Sequence, residues 1–225
     1  RNFYHSLYKR TVSFFQDSEL ASTGRPADAR EQAILAPFPD ALVPEALLGT
    51  LRPPVSDGSG RDRSQRRTAY RLLEAAGWEL SGGRVRRKGT GEPLVFEIMV
   101  ATRDQERLAL AYANQLERAG ITAKVRFVDA VQFDARRRSY DFDMAPAVWG
   151  QSLSPGNEQA FYFGSEAADT PGTRNYMGVK SKAVDAAIAA LIAAKDEEDF
   201  ISAARLLDRL LLSGAYAVPL FHTPG

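Results

Sequence analysis

Leu94-Val-Phe-Glu-Ile-Met-Val100 and Ile121-Thr-Ala-Lys-Val-Arg-Phe-Val128 flank a stretch, Asp104–Ala119, of a different period. In the first segment Leu94, Phe96, Ile98 and Val100 alternate with Val95, Glu97 and Met99, the period of a strand, and the apolar content of both sets predicts a mostly buried one. In the second, Ile121, Ala123, Val125 and Phe127 alternate in the same way. Between them Leu108, Ala111, Tyr112 and Leu116 recur at helical spacing, and Gly120 suits the stop. Strand, helix and strand in so short a span predict a βαβ unit with parallel strands and a right-handed crossover. This places the chain in the α/β class.

Working toward the C-terminus, Val131–Arg138 reads as a helix and Phe142–Val148 as a third strand. The loop Trp149-Gly-Gln-Ser-Leu-Ser-Pro-Gly-Asn-Glu-Gln159 follows, polar and punctuated by Gly and Pro. Ser181–Lys195 reads as a helix N-capped by Ser181, with Val184, Ile188, Leu191 and Ile192 inside. Asp196–Leu212 reads as the next, with Phe200, Ala203, Leu207, Leu210 and Leu211 inside. The acids Asp196, Glu197, Glu198 and Asp199 crowd its start and favour the helix dipole. Tyr216, Val218 and Leu220 predict a last strand.

Toward the N-terminus, Arg63–Gly77 predicts a helix with Tyr70, Leu73 and Ala76 on one face, then Trp78 as an anchor and Ser81-Gly-Gly83 as a turn. Asn2–Phe15 predicts a short helix with Phe3, Tyr4, Leu7 and Tyr8 on one face. Pro26, Pro37, Pro39, Pro44, Pro53 and Pro54 then exclude long regular elements. Asp57-Gly-Ser-Gly60 is a turn, and no Gly-Lys-Ser/Thr follows to make it a phosphate loop. The organisation expected is a single lobe over residues 1–225. It comprises an irregular, proline-rich wrap over 1–60 and an α/β core over 61–225 with a mixed sheet of about five strands flanked by helices.

With 225 residues the chain can bury a sizeable core. A net charge of +1, from 29 basic and 28 acidic residues, supplies no global attraction to nucleic acid or anionic membrane. Cysteine is absent, which excludes disulfides, zinc–thiolate sites and thiol nucleophiles. No apolar run is long enough to span a membrane. The sequence opens at Arg1 without Met and runs directly into Phe3-Tyr4, and we read it as a portion of a longer protein.

The candidates for chemistry are few. His5 and His222 lie near opposite ends, and neither has a metal-binding or catalytic pattern beside it. Asp141 and Asp143, at i and i+2, share one strand face; they could serve acid–base chemistry, hold a hard cation, or satisfy loop amides at a strand end. Three basic clusters, Arg61/Arg63/Arg66/Arg67, Arg84/Arg86/Arg87/Lys88 and Arg136/Arg137/Arg138, sit on separate elements and read as solvated faces. Trp149, Gln151, Ser152, Ser154 and Asn157 form the set best suited to a ligand. The indole offers a stacking face, and the amides and hydroxyls donate and accept without charge. Arg174 and Asn175 could add a carboxylate or phosphate clamp. A capped loop packed on the sheet is the alternative. No cofactor is expected.

Several segments carry a resemblance. Ala69-Tyr-Arg-Leu-Leu-Glu-Ala-Ala-Gly-Trp78, Gln115-Leu-Glu-Arg-Ala-Gly-Ile121, Val128-Asp129, Tyr140-Asp-Phe-Asp143, Trp149, Asn175-Tyr-Met-Gly178, Val184-Asp185 and Tyr216-Ala-Val-Pro-Leu220 occur in an order and spacing that resemble the large C-terminal lobe of the family 5 extracellular solute-binding proteins of bacterial ABC importers. Ser154-Pro-Gly-Asn-Glu-Gln159, Ala167-Ala-Asp-Thr-Pro-Gly172, Thr11-Val-Ser-Phe-Phe15 and Glu19-Leu-Ala-Ser22 are most similar to the microcin C and peptide importer branch.

The resemblance implies a type II periplasmic-binding-protein-like lobe of a monomeric, two-lobed protein, periplasmic or lipid-anchored. It implies a protein that captures peptides or peptide-like solutes and hands them to a membrane permease without doing chemistry. Trp149, Gln151, Ser152, Ser154, Asn157, Arg174 and Asn175 are then the expected ligand-binding residues. Peptide binders of the family commonly carry an Asp three residues after the Trp that matches Trp149; here that position is Ser152, which disfavours a clamp on a free α-amine. The nickel binders' histidines have no counterpart. A lobe that docks a permease or sensor without a solute of its own, and a hydrolase using Asp141 or Asp143, are the rival readings.

Overall fold

The computed structural model of the chain describes residues 7–55, 57, 59 and 61–223. In chain order the elements are β1 (Lys9–Arg10), α1 (Ala29–Leu35), α2 (Pro44–Leu47), α3 (Arg63–Ala75), β2 (Trp78–Ser81), β3 (Arg84–Arg87), β4 (Val95–Val100), α4 (Arg103–Glu117), β5 (Thr122–Phe127), α5 (Ala130–Arg138), α6 (Glu158–Phe163), a 3-10 turn (Glu166–Asp169), α7 (Lys182–Ala193), α8 (Glu197–Ser213) and β6 (Phe221–His222). Contacts divide the chain into two compact units, residues 54–147 and a discontinuous unit of residues 1–53 with 148–225. The division therefore does not fall at residue 60: the proline-rich segment packs with the C-terminal helices.

Residues 54–147 hold the βαβ unit. β4 and β5 pair in parallel with Val95 opposite Thr122 and Val100 opposite Phe127, and α4 connects them. Thr102 caps α4 by accepting from the Gln105 N–H while the Gln105 side chain returns to the Thr102 N–H, a capping box. The predicted alternation is realised: Ile98 and Val100 are buried with Ala109, packed by Phe96, Tyr112, Ala123, Val125 and Met144. Ser81-Gly-Gly83 is the turn of a β2–β3 hairpin, with Gly82 and Gly83 at φ +58° and +75°, as a two-residue primed turn requires.

The expected third strand, Phe142–Val148, is reduced to one parallel bridge between Ile98 and Met144. Pro146 has no N–H to continue a ladder, and the Glu97 N–H is taken by the Asp143 side chain. The last strand likewise starts late. Pro219 interrupts 216–220, and pairing is made by Phe221 and His222 with Arg10 and Lys9. The described residues thus hold three two-stranded sheets, and no five-stranded one. No helix forms over residues 7–15; Lys9 and Arg10 are a strand, while residues 2–6 lie outside the described residues.

The other unit is organised around α7 and α8. Ser181 accepts from the Val184 N–H, so the predicted cap of α7 is present, and Asp196, expected only to favour the dipole of α8, caps it by accepting from the Asp199 N–H. Val184, Ala187, Ile188 and Leu191 of α7 are buried in one cluster with Ala203, Leu207, Leu210 and Leu211 of α8. Ile192, expected inside, is exposed, and Ala187 occupies the core-facing position instead.

α8 is buried on every side between Ser202 and Leu211, except at Arg205. Its burial includes the adjacent charges Asp208 and Arg209. Asp208 accepts from Ser13 Oγ (3.0 Å), the Phe14 N–H (2.8 Å), and the Ser22 N–H and Oγ (2.9 and 2.6 Å). Burial raises its carboxyl above the ordinary value, with the four donors pulling the other way. Arg209 pairs with Glu31 and donates to the carbonyls of Ala46 (2.6 Å) and Arg25 (2.7 Å).

Glu31 in turn is the N3 residue of the α1 capping box, whose cap Asp28 accepts from Ser202 Oγ on α8 (2.7 Å). The irregular segment 13–46 is thereby tied to one helix by side chains rather than by a sheet. Leaving one member of a buried, hydrogen-bonded ion pair without its partner costs about 3–5 kcal/mol. Arg209→Ala should therefore lower the unfolding free energy by about that amount in urea titrations; a loss under about 1 kcal/mol would place the anchoring of residues 13–46 in its apolar contacts instead.

Candidate functional site

The loop after residue 148 is built from two short-range spacings that meet. Trp149 and Gln151 are i and i+2 on an irregular stretch, so in extended chain they fall on one side. Gln159 and Phe163 are i and i+4 on α6, so they share a helix face. The aromatic members join first: Trp149 stacks on Phe163 with ring centres 5.4 Å apart and planes at 19°, and meets Tyr162 edge-on at 5.6 Å. Phe163 is fully buried in the core and Trp149 is half-buried above it. The amide members join next. Gln159 Nε2 donates to Gln151 Oε1 at 2.9 Å, and Gln151 Nε2 donates to Gln159 Oε1 at 3.3 Å.

The tip of the loop is held by its own turns. Ser152 Oγ accepts from the Ser154 N–H (3.2 Å), and Glu158 Oε1 accepts from the Gly156 N–H (2.8 Å) and from Gln159 Nε2 (3.1 Å). Partial burial pushes the Glu158 carboxyl up, but these donors outweigh it and hold the group below the ordinary carboxylate value. Ser152, Ser154 and Asn157 are exposed, and Asn157 makes no side-chain cap to α6. Val148 is 100% and Leu153 75% exposed, with Phe161 also at the surface, so an apolar margin lies beside the polar tip. The exposed hydroxyls and amides of the loop can hydrogen-bond a neutral polar solute, and the half-covered indole can stack on it.

Arg174 and Asn175 part company. Arg174 is exposed, and its N–H donates to the Phe161 carbonyl at the end of α6 (3.2 Å). Asn175 is 1% exposed and is corrected as a ligand-binding candidate. Its Nδ2 donates to the carbonyls of Gly164 and Val179, and its Oδ1 accepts from the Val179 N–H, all at 2.9 Å. It closes the loop between α6 and α7 and has no polar atom left for a solute. Gln159, Tyr162 and Phe163 were not among the expected site residues. The signal for Tyr162 and Phe163 was the aromatic run Phe161-Tyr162-Phe163 directly after the loop, whereas Gln159 had no local signal.

The rival chemistry dissolves into local structure. Asp143 accepts from the Glu97 N–H (2.8 Å), Asp141 pairs with Arg136 (2.8 Å), and the His222 ring contacts Thr11 Oγ1 and Asp17. His5 lies outside the described residues. Of the basic clusters, Arg84 pairs with Glu117, Lys88 with Glu74, and Arg136, Arg137 and Arg138 with acids near them. Among the described residues no three His, Asp or Glu side chains converge as a metal site, and no helix is long and apolar enough to cross a membrane. A depression of about 170 Å³ beside Arg209, lined by Ser22, Thr23, Gly49 and Leu51, falls below the usual size of a solute pocket.

Residues 34–171 match the middle region of the bacterial extracellular solute-binding proteins, family 5. A protein of Brucella melitensis named as a binding protein is 48% identical over 223 residues, 99% of this chain and 36% of the relative. The peptidoglycan-binding protein YepA of Agrobacterium fabrum is 40% identical over 222 residues, again 99% of this chain and 36% of the relative. This chain therefore spans about a third of the length of the curated relatives it matches. Among solved structures, the oligopeptide-binding protein AppA of Bacillus subtilis, in complex with a nonapeptide, superposes with a TM-score of 0.62 at 17% identity, over 96% of this chain and 45% of that one. The fold is the α/β, type II periplasmic-binding-protein-like one, with short sheets.

The two exposed and buried neighbours should behave oppositely on substitution. Asn175→Ala strands the Val179 N–H and two carbonyls and should cost about 2–4 kcal/mol, whereas Arg174→Ala should stay within about 0.5 kcal/mol. Chemical denaturation of the two variants checks both; equal effects would overturn the assignment of Asn175 to loop closure.

Proposed function

Because the chain belongs to family 5 of the bacterial extracellular solute-binding proteins, a family of binding proteins rather than enzymes, we propose that it is the large C-terminal lobe of the substrate-binding component of an ABC importer. In this reading a second lobe, supplied by the rest of the protein, closes over the Trp149 loop and traps a peptide or peptide-like solute. The loaded protein then delivers it to the permease subunits, from the periplasm or from a lipid anchor facing the cell exterior. The protein acts as a monomer, without cofactor or nucleic acid. Ligand contacts to both lobes favour the closed state, a population shift rather than a chemical step.

The observation that carries the proposal is the surface around Trp149. A stacking face is seated on Phe163, in the same loop as the polar Gln151, Ser152, Ser154 and Asn157. Exposed Val148 and Leu153 lie beside it with nothing in the described chain covering them. An apolar margin left open beside ordered polar groups is the character of a ligand- or partner-facing surface. The uncharged Gln151, Ser152, Ser154 and Asn157, with Ser152 where a carboxylate would hold an amine, support a blocked, modified or larger peptide-like compound. The nonapeptide held by AppA and the peptidoglycan-binding character of YepA support a solute of that class.

Native mass spectrometry of the full-length protein purified from its own periplasm tests this. A ladder of peptide-containing masses is the expected result, lost in Trp149→Ala. A single non-peptide mass would replace the solute class, and no bound mass with no thermal shift across a peptide library would favour a docking lobe. The isolated chain, lacking the opposite lobe, should bind in the millimolar range or not measurably; binding near 1 μM, about 8 kcal/mol, would contradict the two-lobe reading.

A further inference from the structure

Gln151 and Gln159 form a closed amide pair, and in principle two facing carboxamides can be turned over together without losing either hydrogen bond. The neighbouring group removes that freedom. Gln159 is fully buried, and its Nε2 makes a second hydrogen bond to Glu158 Oε1 (3.1 Å). An ionised carboxylate accepts and does not donate, and the same oxygen already accepts from the Gly156 N–H (2.8 Å). The nitrogen of Gln159 must therefore face Glu158. Its two N–H groups are then both used, one on Glu158 and one on Gln151 Oε1 (2.9 Å), and its oxygen is left facing Gln151 Nε2.

The polarity of Gln151 follows from that of Gln159. What remains on Gln151, half-exposed beside Trp149, is one N–H and one oxygen lone pair without a partner among the described residues. A donor and an acceptor on one rigid carboxamide are complementary to another amide, whose N–H and C=O can meet both.

We infer that Glu158 and Gln159 are positioning residues that fix the orientation of Gln151, and that Gln151 reads an uncharged amide group of the solute beside the Trp149 ring. The inference rests on the solute-capture reading above and deepens it. A peptide bond or an N-acyl group has the required pair of atoms; a free ammonium has donors alone and would leave the Gln151 N–H facing a positive charge. The apolar body of the same solute lies on Trp149, whose seat on Phe163 is one helical turn from Gln159. The indole and the carboxamide are thus set by one face of α6, so their separation is fixed before any solute arrives.

The test is calorimetric titration of the full-length protein with two probes, pentaalanine with a free amine and N-acetyl-pentaalanine amide. The wild type is expected to bind the acetylated peptide at least as tightly as the free one. Glu158→Ala, a surface change that removes the acceptor fixing the Gln159 polarity, is expected to weaken acetylated-peptide binding several-fold, and Gln159→Leu about tenfold, the scale of one amide hydrogen bond. Thermal unfolding of both variants separates this loss from unfolding, and Glu158→Asp, which keeps an acceptor-only group, should recover part of the affinity. Free-amine peptide bound tenfold better than acetylated by the wild type would overturn the neutral-amide assignment. Unchanged binding in both variants would overturn the positioning role while leaving peptide capture standing. No binding of either probe by the wild type would overturn the capture reading on which the inference rests.

Discussion

Asp208 and Arg209 are consecutive residues on α8 with opposite charge, opposite partners and almost no exposure. Two charges taken out of water are tolerated when each is fully hydrogen-bonded. Here the bonds run to residues far back in the chain: Ser13, Phe14 and Ser22 for the carboxylate, Arg25, Glu31 and Ala46 for the guanidinium. A segment too rich in proline to form a sheet is in this way given its backbone partners by one helix. The remaining core follows from that arrangement. With α8 covered by the N-terminal wrap on one side, its other side receives α7, and the α6–α7 loop closed by Asn175 sets α6 beside them.

The Trp149 loop inherits its rigidity from this packing. Phe163 is part of the same buried cluster as α7 and α8, and the indole rests on it rather than on loop atoms alone. An exposed loop would ordinarily sample many conformations and lose them on binding, at a cost that reduces affinity. Stacking at one end and an amide pair at the other would limit that loss in the proposed capture of a solute. The hydroxyls and amides at the tip have no such support beyond short turns, and in the proposed reading they adjust to the solute.

Much of the fold was legible because its signals are local. The alternation of Phe96, Ile98 and Val100, the spacing of Val184, Ile188 and Leu191, and the caps Ser181 and Asp196 all report partners within a few residues. Even α1, passed over in the proline-rich stretch, had a readable capping box in Asp28 and Glu31. Strand pairing was less legible. Tyr216–Leu220 and Phe142–Val148 have strand-like patterns, but Pro219 and Pro146 withhold the N–H a ladder needs, and the sheets are correspondingly short. The candidate site was half legible: polarity and a Trp marked the loop, while nothing local marked Gln159 as the partner of Gln151.

By itself the sequence determined the α/β class, the longer helices with the Ser181 cap, the βαβ unit and the resemblance to solute-binding proteins, since each depends on spacing along the chain. Only the tertiary structure decided where the polar groups went. Asn175 turned inward to close a loop while its neighbour Arg174 stayed in solvent, and Glu31 met Arg209 across 178 positions of sequence. The physical reason is that periodicity specifies which face of an element is apolar. A buried amide or charge is satisfied by whichever distant donor or acceptor the packed chain brings within about 3 Å, and that pairing exists only once the chain has folded.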